Sequence, residues 1–176
     1  MNIMFTNEDP VLCAREHCTV HVNSQLKEAC QMLSTAHHIL NDPLAKDVYK
    51  EAYPNHPCTI WVREDASHYQ WLYKLARELL LCHYKYTGKI HGCYEVLKKL
   101  SKVPVGLGFI KTFKEPPCCT NDEQKKLYEL GIPLTECYQA YINEKLLDWL
   151  MASGGKFVYF DLGCPKWLSQ DVLDAL

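Results

Sequence analysis

Over residues 21–40 the apolar side chains Val22, Leu26, Ala29, Cys30, Leu33, Ala36 and Leu40 recur every three or four positions. That is the period of an α-helix and not the two-residue alternation of a strand. His37 falls on the same stripe and reads as a hydrogen-bonded core histidine, while Lys27, Gln31, Ser34 and His38 occupy another face. Asn41-Asp42-Pro43 stops the run, because proline lacks an amide hydrogen and restricts the residue before it. A helix of this kind draws its stability from whatever covers its apolar face. The chain must therefore fold as further elements packed on this one.

Those partners lie on either side. Asn7-Glu8-Asp9-Pro10 is a turn signal, and Pro10 suits the first turn of a short helix over residues 10–18. The connection over residues 43–58 has room for a short helix at 44–52 before Pro54 and Pro57 pin a loop. Residues 58–63 lead into a long helix capped by Asp65 or Ser67 and reaching about Tyr86, with His68, Leu72, Leu75, Leu79 and Cys82 on its stripe and Gly88 closing it. Helices are also expected over residues 93–100, 122–130 and 134–151, with a terminal turn from Ser169. Residues 101–121, carrying Pro104, Pro116 and Pro117, read as loop or extended chain. Residues 2–6 and 156–160 have the composition of short strands. With 176 residues and 48% hydrophobic content, one core suffices. The expected fold class is all-α, a single mainly helical domain over residues 1–176 with a short strand near each end as its exceptions.

Composition narrows the functional classes. The ten cysteines include no C-x-x-C pair, and the opening residues lack the basic and apolar regions of a secretory signal. Reduced thiols acting as small buried hydrophobes are expected. No run approaches the roughly 20 apolar residues that span a bilayer, so a cytoplasmic, non-membrane protein is expected. A net charge of −2 argues against a broad basic surface that coats nucleic acid, but leaves room for a local basic cleft. Cys13, His17 and His21 are spaced by four, as metal ligands on one helix face can be. Thr19 and Val20 favour a break between them, and no fourth ligand is indicated; no metal and no cofactor is expected. G-x-S-x-G, P-loop, Rossmann and H-E-x-x-H motifs are all lacking.

Three places combine cationic or hydrogen-bonding groups with aromatics. The first long helix carries His21, Lys27 and Glu28, with His38 further along. The lead into the second contains His56, Trp61 and Arg63, followed by Tyr69. The exit from that helix contains Tyr84, Lys89 and His91. Together they suit a phosphate-bearing planar ligand, a nucleotide or an extruded base. A plain packing reading stands beside it with equal weight, in which Trp61 and Tyr84 anchor the core and Arg63 and Lys89 are solvated ends.

Two resemblances bear on the choice. Asn7-x-Asp9-Pro10, His21-Val22 with Glu28 seven positions on, Gln31-Met-Leu-Ser-Thr-Ala-His37, Asn55-His-Pro-Cys-x-x-Trp61-Val-Arg63, Tyr69-x-Trp71-Leu72 and Tyr84-x-Tyr86-x-Gly88-Lys89-x-His91 together resemble a family of small tailed-phage proteins without an established role. The likeness covers about residues 5–100. More distantly, a helix bearing His, then a basic residue and Glu six and seven positions on, followed by a proline-marked loop and an aromatic-rich helix, is similar to the phage pyrimidine dimer DNA glycosylase, endonuclease V. That resemblance implies an endonuclease V-like helical architecture in which an N-terminal α-amine attacks the sugar and the helix glutamate supports the chemistry. It implies Glu28 as catalytic carboxylate, Lys27 as a phosphate-facing cation and His21 as a site-lining group. The family has a small second residue and a strongly basic chain, whereas this sequence has Asn2 and a net charge of −2.

The site expected from these readings places Glu28 and His21 in the chemistry and Lys27, His38, His56, Trp61, Arg63, Tyr69, Lys89 and His91 around a nucleotide or nucleic acid. A non-catalytic phage protein that binds a host protein or sequesters a nucleotide is the rival expectation, in the host cytoplasm if the chain is viral.

Overall fold

A computed structural model describes residues 1–109, 113–153, 156–159 and 163–175. Among these residues the regular structure is entirely helical, as an all-α chain requires. Asp9 begins helix α1 (Pro10–Arg15) by accepting the amides of Val11 and Leu12, the side-chain cap that an exposed first turn needs. Helix α2 (Thr19–Ile39) starts two residues before the apolar repeat and ends where Asn41 takes a left-handed φ of 52°. A 3-10 turn over Pro43–Asp47 follows, capped by Asp42.

Two short elements differ from expectation. The helix expected at residues 44–52 does not extend past the 3-10 turn: Val48 is extended, and the Ala52 backbone exchanges hydrogen bonds with the Thr35 hydroxyl at 3.0 and 3.2 Å. A side chain of α2 thus takes the groups that a helix would have paired internally. Conversely, the expected lead-in at residues 58–63 contains helix α3 (Pro57–Val62), with the His56 imidazole capping the Cys58 amide and proline in the first turn.

Asp65 caps helix α4 (Ala66–Thr87), which Gly88 ends in a left-handed conformation. Helices α5 (Tyr94–Lys99), α6 (Asp122–Glu129), α7 (Leu134–Ser153) and α8 (Gln170–Asp174) complete the order, with Asn121 and Ser169 capping α6 and α8. Neither short strand forms among the described residues. Residues 2–6 run beneath α2 without a strand partner; the Asn2 and Met4 amides are taken by Glu28 and Gln25 side chains instead. Residues 156–159 are likewise irregular, joined to α2 where Thr19 and Val158 bond in both directions. The remainder of that expected strand, residue 160, lies outside the described residues.

The two long helices α2 and α4 pack face to face, and α1 rests on α4. Leu26, Leu33, Leu72, Leu75 and Leu79 are essentially excluded from solvent between them, each stabilising the fold by about 1.5–3 kcal/mol relative to exposure. Tyr138, Ile142 and Leu146 of α7 join the same apolar cluster. Among the described residues no helix is long and apolar enough to cross a membrane.

Candidate active site at the amino terminus

The start of the chain is threaded into the molecule. Ile3 and Phe5 are completely buried, Phe5 lies 5.2 Å from the Trp71 ring, and the Met1 side chain is covered where its sulfur accepts the Thr59 hydroxyl at 3.4 Å. Asn2 fixes the register: its side-chain NH2 donates to the Cys119 carbonyl at 3.0 Å and its side-chain oxygen accepts the Tyr138 hydroxyl at 2.8 Å. Four segments far apart in sequence therefore hold residue 1 in one place.

That place is beside Glu28. The α-amine of Met1 is 3.8 Å from Glu28 Oε2, and the Asn2 amide donates to the same oxygen at 2.7 Å. Both groups line a cavity of about 530 Å3 between α2, α7 and the N-terminal segment. Helix α2 contributes Val20, His21, Ser24, Gln25 and Glu28, which recur at helical spacing on the face turned away from the α4 contact. Helix α7 contributes Tyr141, Lys145 and Trp149, three residues four apart that share one stripe. Lys145 Nζ stands 3.3 Å from the Tyr141 hydroxyl and 5.1 Å above its ring. A smaller cavity of about 280 Å3 adjoins the first; Met1, Ser24 and Glu28 line both, and Lys27, Gln31 and Tyr53 complete it.

The electrostatics favour an anion. His21 is pushed down to about 3, first by burial and then by the nearby His17 and Lys145, so it is neutral at physiological pH. Behind it His17 is pushed down to about 4 by burial; its Nδ1 donates to the Cys13 carbonyl at 2.7 Å. The Met1 amine and Lys145 thus stand with the single carboxylate of Glu28 in the lining, two cationic groups suited to a phosphate. On its far wall Cys119 accepts the Cys58 thiol at 3.7 Å, a bond that draws Cys119 down to about 7 and pushes Cys58 up. His56 stands near the same charges, and burial, with the N-terminal amine adding, pushes its imidazole down.

The structure brings His21 and Glu28 into the main cavity and Lys27 into the smaller one. His56 is close by. The other expected residues are elsewhere. Arg63 lines neither cavity and donates to the Pro54 carbonyl at 2.6 Å. Trp61 is buried and stacked on His68 at 4.3 Å, with its indole NH on the Lys114 carbonyl. Tyr69 is enclosed in the core, and His38 bonds the Tyr49 carbonyl at 2.9 Å. His91 bonds Asn23 at 2.5 Å, and Lys89 follows the left-handed end of α4 on an exposed turn. Glu28, Arg63 and Lys89 therefore do not share a pocket. The cation beside Glu28 is the Met1 amine, and Lys145 lines the same cavity from α7, a helix whose Tyr141, Lys145, Trp149 spacing was the one signal of it in the sequence.

Comparison with protein-family models, with curated proteins and with solved structures returns no match to this chain.

Proposed function

We propose that the chain is a nucleoside-acting enzyme of the DNA glycosylase type, with the Met1 α-amine as nucleophile and Glu28 as its acid–base partner. The observation that carries this reading is the 3.8 Å approach of the amine to Glu28 inside a lined cavity. Glu28 first takes a proton from the Met1 ammonium and passes it to the departing base, and the freed lone pair of the amine attacks the sugar C1′. The bond from C1′ to the base breaks, and the base leaves with that electron pair and takes up a proton. Glu28 accepts a proton from the attacking nitrogen and returns one to the ring oxygen as the sugar opens, leaving an imine between C1′ and the amine. Lys145 and the Lys27 side of the smaller cavity hold phosphate, and Tyr141 offers an aromatic face to the base. An amino terminus beside a helix glutamate is also the pairing that the endonuclease V resemblance implies, and the reading rests on that pairing.

Borohydride added during incubation with duplexes carrying damaged or modified bases should reduce the imine and leave a covalent DNA adduct on residue 1. Glu28→Gln should lower trapping at least about 100-fold while the protein stays folded. Residues added in front of Met1 should abolish it. No adduct and no released base across the duplex panel would rule the glycosylase out.

The net charge of −2 and a cavity of one-nucleotide size favour a second reading, capture of a free nucleotide without turnover. Calorimetry against nucleotides separates the two: tight binding with the ligand recovered unchanged supports capture, and turnover lost in Glu28→Gln supports the enzyme.

A further inference from the structure

We propose that His56, Cys58 and Cys119 form a zinc site in the wall of the cavity, tying the segment before α6 to the start of α3. One ligand atom from each residue lies within 4.8 Å of the others. The two sulfurs are 3.7 Å apart, too far for a covalent bond. Two thiolates held about 2.3 Å from a tetrahedral zinc stand about 3.8 Å from one another, so this separation is the edge of a zinc tetrahedron. In His56 it is Nδ1 that carries the acceptor lone pair, since it accepts the Cys58 amide at 3.2 Å. Binding at Nδ1 exchanges that amide contact for the metal.

The sequence hides the set because His56 and Cys58 are only two residues apart while Cys119 is about 60 residues further on, outside every compact zinc pattern. The backbone between them is independently fixed. The Cys119 carbonyl accepts Asn2, and its amide donates to the Tyr138 hydroxyl at 3.1 Å, so the third ligand does not have to be recruited from a free loop. Cys58 is fully buried, whereas Cys119 is only partly buried and reaches the cavity wall. Three protein ligands with the remaining position turned to the cavity leave a solvent molecule as the fourth. On loading, zinc replaces both thiol protons, which leave to solvent, and the two thiolates balance the two charges of the ion. A neutral centre of this kind stands beside the Met1 amine without repelling it.

The test uses the full-length chain, purified without a metal-binding tag under reducing conditions and then supplied with zinc or cobalt. We expect roughly one zinc per chain after gel filtration, and cobalt should give the intense visible absorption of a tetrahedral thiolate complex. Cys58→Ser and Cys119→Ser should each lose most of the bound metal, His56→Gln should weaken binding, and Cys164→Ser, an exposed thiol, should behave as wild type. Circular dichroism separates metal loss from unfolding, and the wild-type cobalt spectrum depends on no variant. Failure of the zinc-loaded wild type to retain metal would overturn the site. So would a Cys58–Cys119 disulfide recovered by peptide mass mapping, or equal metal loss in Cys164→Ser. Each readout is independent of glycosylase activity.

Discussion

The Tyr69 hydroxyl is 2.9 Å from both the Leu100 carbonyl oxygen and His37 Nε2, and His37 Nδ1 is 2.9 Å from Asp42. Burial alone would raise the Asp42 carboxyl; the Val105 amide, His37 and the Leu44 amide outweigh it and hold it low. Tyr69→Phe keeps the shape but strands a buried carbonyl and an imidazole nitrogen. It should cost about 1–3 kcal/mol, read as a lower urea midpoint at unchanged slope; an unchanged midpoint would mean the chain of bonds contributes nothing. Tyr53 is the opposite case. It is 68% exposed, holds a left-handed φ of 48° and borders the small cavity with Lys27 and Glu28. An exposed aromatic in a disfavoured conformation at a candidate site is a fitting stacking surface. Tyr53→Gly should raise stability by about 1 kcal/mol and weaken nucleotide binding, so thermal melting and calorimetry should move in opposite senses. His37 as a core residue was legible from its place on the stripe. Tyr53 was not, because nothing local marks a strained backbone.

The long helices were the most legible elements, since their apolar spacing and stop signals are local. Gly88 shows how sharp such a signal is: it ends α4 with a φ of 67°, and a Cβ there would meet nothing within 4 Å. The cost of Gly88→Ala is therefore conformational and not steric, about 1 kcal/mol, and should appear as a lowered melting temperature with the fold retained. Short elements were less legible. Residues 44–52 have helical composition, yet Thr35 captures the Ala52 backbone; residues 2–6 have strand composition, yet side chains of α2 take their amides. In each case the competitor comes from an element distant in sequence. Helix α7 was expected, but its cavity stripe gained meaning only once Glu28 was seen opposite.

At the scale of the whole molecule, folding sets the protonation of two histidines. His17 and His21 are held at about 4 and about 3, below the 6.5 of an unconstrained imidazole. Below pH 6.5 the unfolded chain takes up protons that the folded chain refuses. Stability is thus fully present above that value and falls as the pH drops toward 4. The slope for the buried His17 alone is about 1.4 kcal/mol per pH unit. Urea unfolding at pH 7, 6 and 5 should show this loss, and His17→Gln should remove the His17 share of the slope and leave that of His21; a profile without slope would contradict neutral burial. By itself the sequence determined the helical class, the two long helices and their core faces, because periodicity and capping act over a few residues. The tertiary structure alone decided what shares a cavity with Glu28. It placed the amino terminus and Lys145 there, left Arg63 and Lys89 elsewhere, and brought Cys119 to His56 and Cys58, since convergence of distant segments depends on how the whole core closes.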